Sequence, residues 1–229
     1  MNTAMNTDPT SDSSMVFSYL TLRIAIGVLG VALPFVVALG ALLLFHTGLQ
    51  GSISGYYYTR MRNVLVGTLW AIGFFLLAYN GYGRLDSVLS KLACVFAVGI
   101  SLCPTAPDGA ATSNQILIGY FHLGFAACFF ATLIVFCLHL FTKTNTPIPT
   151  IRKLQRNTVY RVCGYGMSVC VFLLLVYSVL QHVLPNASIA PFNALDPIFW
   201  LEALAIIAFG ISWLTKGEAI LKDEKEQQG

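Results

Sequence analysis

Charge is the scarcest property of this sequence. Charged residues fill 10% of its 229 positions, where a typical soluble domain carries about 25%. A fold of this size could not wet its surface with so few, so a water-soluble globular domain is excluded. Zinc-ribbon spacing is absent too. The six cysteines (Cys94, Cys103, Cys128, Cys137, Cys163, Cys170) form no C-x-x-C pair. All lie within or at the ends of apolar runs, where cysteine behaves as a small buried hydrophobe. No Walker loop, dinucleotide fingerprint, H-E-x-x-H or nucleophile elbow occurs, and nothing marks a nucleic-acid partner. The first fourteen residues, MNTAMNTDPTSDSS, contain no Lys or Arg. They are therefore not the charged start of a secretory signal, and the apolar stretch after them is too long for one. The two halves of the chain show no repeat, so a transporter built from duplicated halves is not supported.

What the chain has is apolar length. Hydrophobic residues make up 56% and the mean hydropathy is +0.73. They fall into six runs: 22–45, 64–79, 88–103, 116–141, 159–183 and 197–214. Crossing a hydrocarbon core takes about 20 residues of helix; the second and third runs are short but have Tyr, Gly or Ser at their ends to extend them. Lipid offers no partner for open backbone groups, so helices are expected. The runs do not alternate as barrel strands would. The expected fold is all-α, an integral membrane bundle of six transmembrane helices. A polar tail (1–20) precedes the bundle (21–216), and a charged tail (217–229) follows it.

Thirteen basic residues orient that bundle. Lys and Arg collect in cytoplasmic loops. One side holds Arg23, Arg84, Lys91, Lys143, Arg152, Lys153, Arg156, Arg161, Lys216, Lys222 and Lys225. The other holds Arg60 and Arg62 alone. Both termini are therefore expected in the cytoplasm, with the chain in the cell (inner) membrane. The other two outer connections, PTAPDGAATSNQ and LPNASIAPFNALD, carry no basic residue. Candidates to compensate the two outer arginines are Asp108, Asp196 and Glu202.

Polar residues cluster toward that outer side. His122 lies about 9 Å into the fourth helix and Glu202 about 8 Å into the sixth, at 1.5 Å per residue. An ionisable residue inside a span is costly and marks a functional site by default. Two readings of Glu202 stand: it lines a polar pocket for a ligand or metal, or it pairs with Arg60, Arg62 or His122 to fix helix positions. His46 and His182 sit at the outer ends of the first and fifth helices, Ser101 at that of the third. Tyr56, Tyr57 and Tyr58 suit an aromatic belt as well as a binding site. On the inner side, KTNTPIPTIRKLQRNTVYR would attract anionic headgroups or simply set topology.

The stretches RMRNVLVG, GYFHLGFAACFF, YRVCGYG and FWLEALAIIAFGISWLTKGE resemble a group of small bacterial polytopic membrane proteins carrying a domain of unknown function. The likeness spans about residues 45–220 and implies location rather than chemistry. The chain is also distantly similar to the hydrolase superfamily of alkaline ceramidases and adiponectin receptors, which use serine, aspartate and three histidines around zinc. It shares with them only scattered intramembrane His, Ser and acidic residues. It departs in having six helices and no histidine pair four apart in the last.

The leading expectation is a multi-pass protein with an outward polar pocket. It would bind or transport a lipid headgroup or small anion through Arg60, Arg62, Tyr57, His122, Glu202 and Asp196. Guanidinium groups suit bidentate contact with phosphate or carboxylate. One alternative is a sensor or assembly subunit whose outer cluster is satisfied internally. The other is a metal-dependent lipid hydrolase, with zinc held by His46, His122 and His182. Membrane lipids are the partners common to all three.

Overall fold

The computed structural model of the protein describes residues 9–81, 83–107, 109–144 and 149–222, with the side chains of 9–18, 182, 186 and 187 outside that set. The described residues are helical and contain no strand. The helices are α1 (Pro9–Phe45), α2 (Arg62–Ala78), α3 (Arg84–Leu102), α4 (Ser113–Val135), α5 (Ile151–Val183), α6 (Asn186–Asn193) and α7 (Pro197–Lys216). A 3₁₀ turn, Ser54–Tyr58, precedes α2, and a π-helical turn, Phe136–Leu140, continues α4. The six apolar runs coincide with α1–α5 and α7. Five segments are long and apolar enough to cross a membrane, and α2, at 17 residues, is the short one. It rises only about 25 Å against a core of about 30 Å. α1 begins at Pro9, within the polar stretch read as a tail.

Local chemistry explains the helix starts. Thr112 and Gln115 form a reciprocal capping box at α4: the Thr112 hydroxyl accepts the Gln115 N–H, and the Gln115 side chain accepts the Thr112 N–H. The Thr150 hydroxyl accepts the Lys153 N–H and caps α5. Pro197 opens α7, where its missing N–H costs nothing.

Each long helix packs on its neighbour in the chain, and α7 lies against both α5 and α1, which closes the circuit. The contact of α1 with α7 is backbone-close. A Cβ on Gly27 would stand 2.7 Å from the Leu214 nitrogen, and one on Gly210 would stand 2.6 Å from the Val31 nitrogen. Small residues at such crossings let helices approach where lipid supplies no hydrophobic drive.

The two ends of the bundle differ. At one, the first half of α1 meets the ends of α2 and α7: Asn80 N–H donates to the Tyr19 hydroxyl, and Arg23 donates to the Lys216 carbonyl. Trp213 is fully buried there among Tyr79, Phe136 and Phe141, with ring centroids 5.0–5.7 Å away. Lys153 Nζ donates to the Phe141 carbonyl, which the π-helical turn presents. At the other end a second core gathers Leu33, Val37, Ile53, Tyr56, Met61, Leu65 and Phe199. The outer faces of the helices are apolar: Leu43, Leu44, Phe74, Val95, Phe121, Phe172 and Leu204 are all exposed. In water so many exposed large apolar side chains would make the surface sticky.

The α1–α7 crossing yields a test. Gly210→Ala should cost about 1–3 kcal/mol, because both atoms that its Cβ meets most closely are main-chain and can yield only if the helices part. Gly124→Ala, with nothing within 4 Å of the added carbon, should stay within about 0.5 kcal/mol. Thermal midpoints of the two variants in one detergent check the contrast.

Candidate functional site

The connection from α1 to α2 folds back against α7. α1 ends at Phe45, and His46 follows with a left-handed φ of 52°. The chain then builds a small cap that supplies many of its own hydrogen bonds. The Ser52 hydroxyl accepts the Gly55 N–H at 2.8 Å, and the Thr59 hydroxyl accepts the Met61 N–H at 3.1 Å. Tyr56 is fully buried, and its hydroxyl accepts the Gln50 N–H. Burial pushes that phenol above its ordinary pKa; the Gln50 amide that it accepts from offsets part of the shift, and the charge of Asp196 adds a smaller upward push.

Two amides at the start of the 3₁₀ turn need an outside partner, and Glu202 supplies it. Its Oε2 accepts the N–H of Ile53 at 2.7 Å and that of Ser54 at 3.3 Å. A carboxyl from α7 thus caps a turn about 150 residues earlier in the chain, the role that a local Ser or Asp plays in most helices. Glu202 therefore meets backbone rather than the arginines, a third outcome that the sequence reading did not weigh.

Ser54 carries the network onward. Its hydroxyl lies 3.0 Å from His122 Nε2, while His122 Nδ1 lies 2.7 Å from the Cys103 carbonyl. A carbonyl can only accept, so Nδ1 carries the proton. In the neutral imidazole Nε2 is then the acceptor, and the Ser54 hydroxyl donates to it. His122 is buried and Ser54 half-buried. Beside them Ser54, Tyr57, Ser101, Pro104 and His122 line a crevice of about 20 Å³, room for one water.

The arginines stand apart from this network. Arg62 donates to the Tyr57 hydroxyl at 2.5 Å, with its guanidinium carbon 4.1 Å from the centre of that ring. Arg60 rests 5.4 Å from the centre of the Phe45 ring. Both are exposed, and neither has an acidic partner among the described residues. Arg62 is also the first residue of α2, whose first turn contains no acid and whose start has no side-chain cap. Asp196 is half-buried at the start of α7, with a left-handed φ of 48°. Asp108 and the His182 side chain lie outside the described residues. His46 is exposed at the end of α1, and both ring nitrogens of His122 are already bonded. Among the described residues no three His, Cys, Asp or Glu side chains come together as a metal site would require.

Of the residues singled out in the sequence, the fold thus joins His122 to Glu202 through Ser54, and Arg62 to Tyr57. Ser54, the Ile53 amide and the Cys103 carbonyl were missed. Two of the three are main-chain groups that no residue letter announces, although a Ser-rich S-I-S-G border was visible. No family model matches the chain, and neither a curated protein nor a solved structure is detectably similar to it.

Glu202→Ala should strand the Ile53 and Ser54 amides, at about 1–3 kcal/mol for each buried donor left unsatisfied. Glu202→Gln keeps an acceptor oxygen and should lose about half as much or less. A thermal melt, together with protease cutting between residues 46 and 61, separates the two: the Ala variant melts lower and is cut faster.

Proposed function

We propose that this chain is a multi-pass integral membrane protein that holds an anionic headgroup, a phosphate or carboxylate, at the end of the bundle bearing Arg60 and Arg62. In this reading α1–α5 and α7 cross the bilayer, both termini are cytoplasmic, and the arginines face outward. Five apolar helices of spanning length support the membrane, and the count of eleven basic residues against two supports the orientation.

One observation carries the headgroup. The carboxyl best placed to neutralise the outer arginines, Glu202, is already committed to two backbone amides, so the two guanidinium groups rest on aromatic rings instead. Cation–π contact lowers the cost of an exposed cation but does not cancel its charge. Arg62 also stands at the positive end of α2 with no acid in the first turn, where a cation is unfavourable and an anion is favoured. A bound phosphate would relieve both. The crevice beside His122 is far smaller than a headgroup, so binding occurs on the exposed surface around Arg60, Arg62 and Tyr57.

The test is a thermal-shift titration in neutral detergent with short-chain phosphatidylglycerol, phosphatidylcholine and inorganic phosphate. Phosphatidylglycerol should raise the midpoint, and the Arg60→Ala/Arg62→Ala double variant should need about tenfold more lipid or more. That loss corresponds to one or two charge-assisted hydrogen bonds of about 1.5–3 kcal/mol each. A shift with inorganic phosphate alone would identify a soluble anion as the ligand. Equal shifts for the wild type and the variant would sink the site. Orientation has its own check: phosphatase fused after Ala110 should be active, and a fluorescent protein fused at the C-terminus should glow.

A further inference from the structure

The contact between Ser54 and His122 has a chemical meaning beyond holding the cap in place. A hydroxyl that donates to an imidazole, whose other nitrogen is anchored by a third group, is the arrangement that activates a serine. Here the third group is the Cys103 carbonyl, at 2.7 Å, rather than a carboxylate. It serves the same end: it keeps the proton on Nδ1 and turns the lone pair of Nε2 toward Ser54, 3.0 Å away. The parts come from three separate elements: the 3₁₀ turn, the end of α3 and α4. Ser54 is kept in register by Glu202, which grips its N–H from α7.

We propose that Ser54 is a nucleophilic serine with His122 as its general base, and that the group it attacks is a carboxylic ester reached from the outer end of the bundle. The Ser54 oxygen bonds to the acyl carbon as its proton passes to His122 Nε2. The C–O bond of the ester then breaks, and the imidazolium returns the proton to the departing alkoxide. A water molecule, for which the adjoining crevice has room, attacks the acyl carbon in turn, releasing a carboxylic acid and restoring the hydroxyl.

The developing oxyanion needs a donor, and the amides at and beside Ser54 are already taken. The Ile53 and Ser54 amides go to Glu202, and the Gly55 amide goes to Ser52. Tyr57 remains. It follows Ser54 by three residues in the 3₁₀ turn, where i and i+3 share a face, and both line the crevice. Its hydroxyl accepts from Arg62 and keeps its own proton to donate. A guanidinium behind a phenol strengthens that donation. A preference for esters of anionic lipids would rest on the headgroup site proposed above; the reactivity of Ser54 does not.

The experiment therefore uses an uncharged electrophile. The purified full-length protein is treated with a short-chain fluorophosphonate, and the modified residue is mapped by peptide mass spectrometry. Ser54 should be labelled, Ser54→Ala should show no label at that peptide, and His122→Gln should be labelled about 100-fold more slowly, the scale on which a general base acts. Tyr57→Phe should slow hydrolysis of an uncharged nitrophenyl ester by lowering kcat with little change in KM. Each variant is first required to melt as one species, so that misfolding is not read as lost reactivity. An unlabelled Ser54 in the folded wild type overturns the proposal, as does a label whose rate ignores His122→Gln. Because no probe carries charge, a negative result leaves the headgroup site untouched, and loss of the headgroup site leaves this result readable.

Discussion

The end of this protein that bears Arg60 and Arg62 depends on one acceptor. Between Phe45 and Arg62 the chain leaves regular helix for some sixteen residues, all at the end of an otherwise apolar bundle. Irregular backbone that is buried there must find hydrogen bonds within the protein, because an unpaired buried amide is costly. Ser52 and Thr59 satisfy two amides locally, but those of Ile53 and Ser54 face α7. The Glu202 carboxyl takes both, and that single anchor sets where Ser54, Tyr56 and Tyr57 can stand. Tyr56 then fills the core at that end against Phe199, Ser54 reaches His122, and Tyr57 lies under Arg62.

Electrostatics divides the molecule more sharply than packing does. At the end that holds Trp213, cations are drawn into the structure. Arg23 lies against the rings of Tyr19 and Tyr79, Lys216 over Phe141, and Arg156 beside Glu218 at 3.6 Å. Aromatic faces and carbonyls let these charges sit beside a core that holds Trp213. At the opposite end the described residues hold two cations, Arg60 and Arg62, and both are exposed. The same side-chain chemistry is thus used at one end to close the bundle and at the other to present charge.

The helices were legible because their cause is local. A run such as 159–183 is apolar for long enough that only a helix satisfies its backbone, and α5 duly covers it. The capped starts at Thr112 and Thr150 are likewise written within four residues. The 3₁₀ turn was not legible: S-I-S-G-Y-Y-Y reads as an interfacial loop, and nothing local says that its amides are capped from α7. Residue counts put Glu202 and His122 at similar distances from their helix ends, and the structure joins the two through Ser54. Their link was hidden because it passes through the backbone and hydroxyl of Ser54.

Sequence alone, then, determined the scarcity of charge, the number of long apolar helices and the lopsided distribution of basic residues, since these follow from the composition of contiguous stretches. It also isolated Arg60 and Arg62. Only the tertiary structure decided what Glu202 does. A carboxyl in an apolar helix can be met by a cation, a ligand or an amide with little difference in sequence pattern. Which one reaches it depends on how a loop folds back across some 150 residues of chain, and hydrogen-bond geometry, acting over about 3 Å, is settled only when the helices are packed.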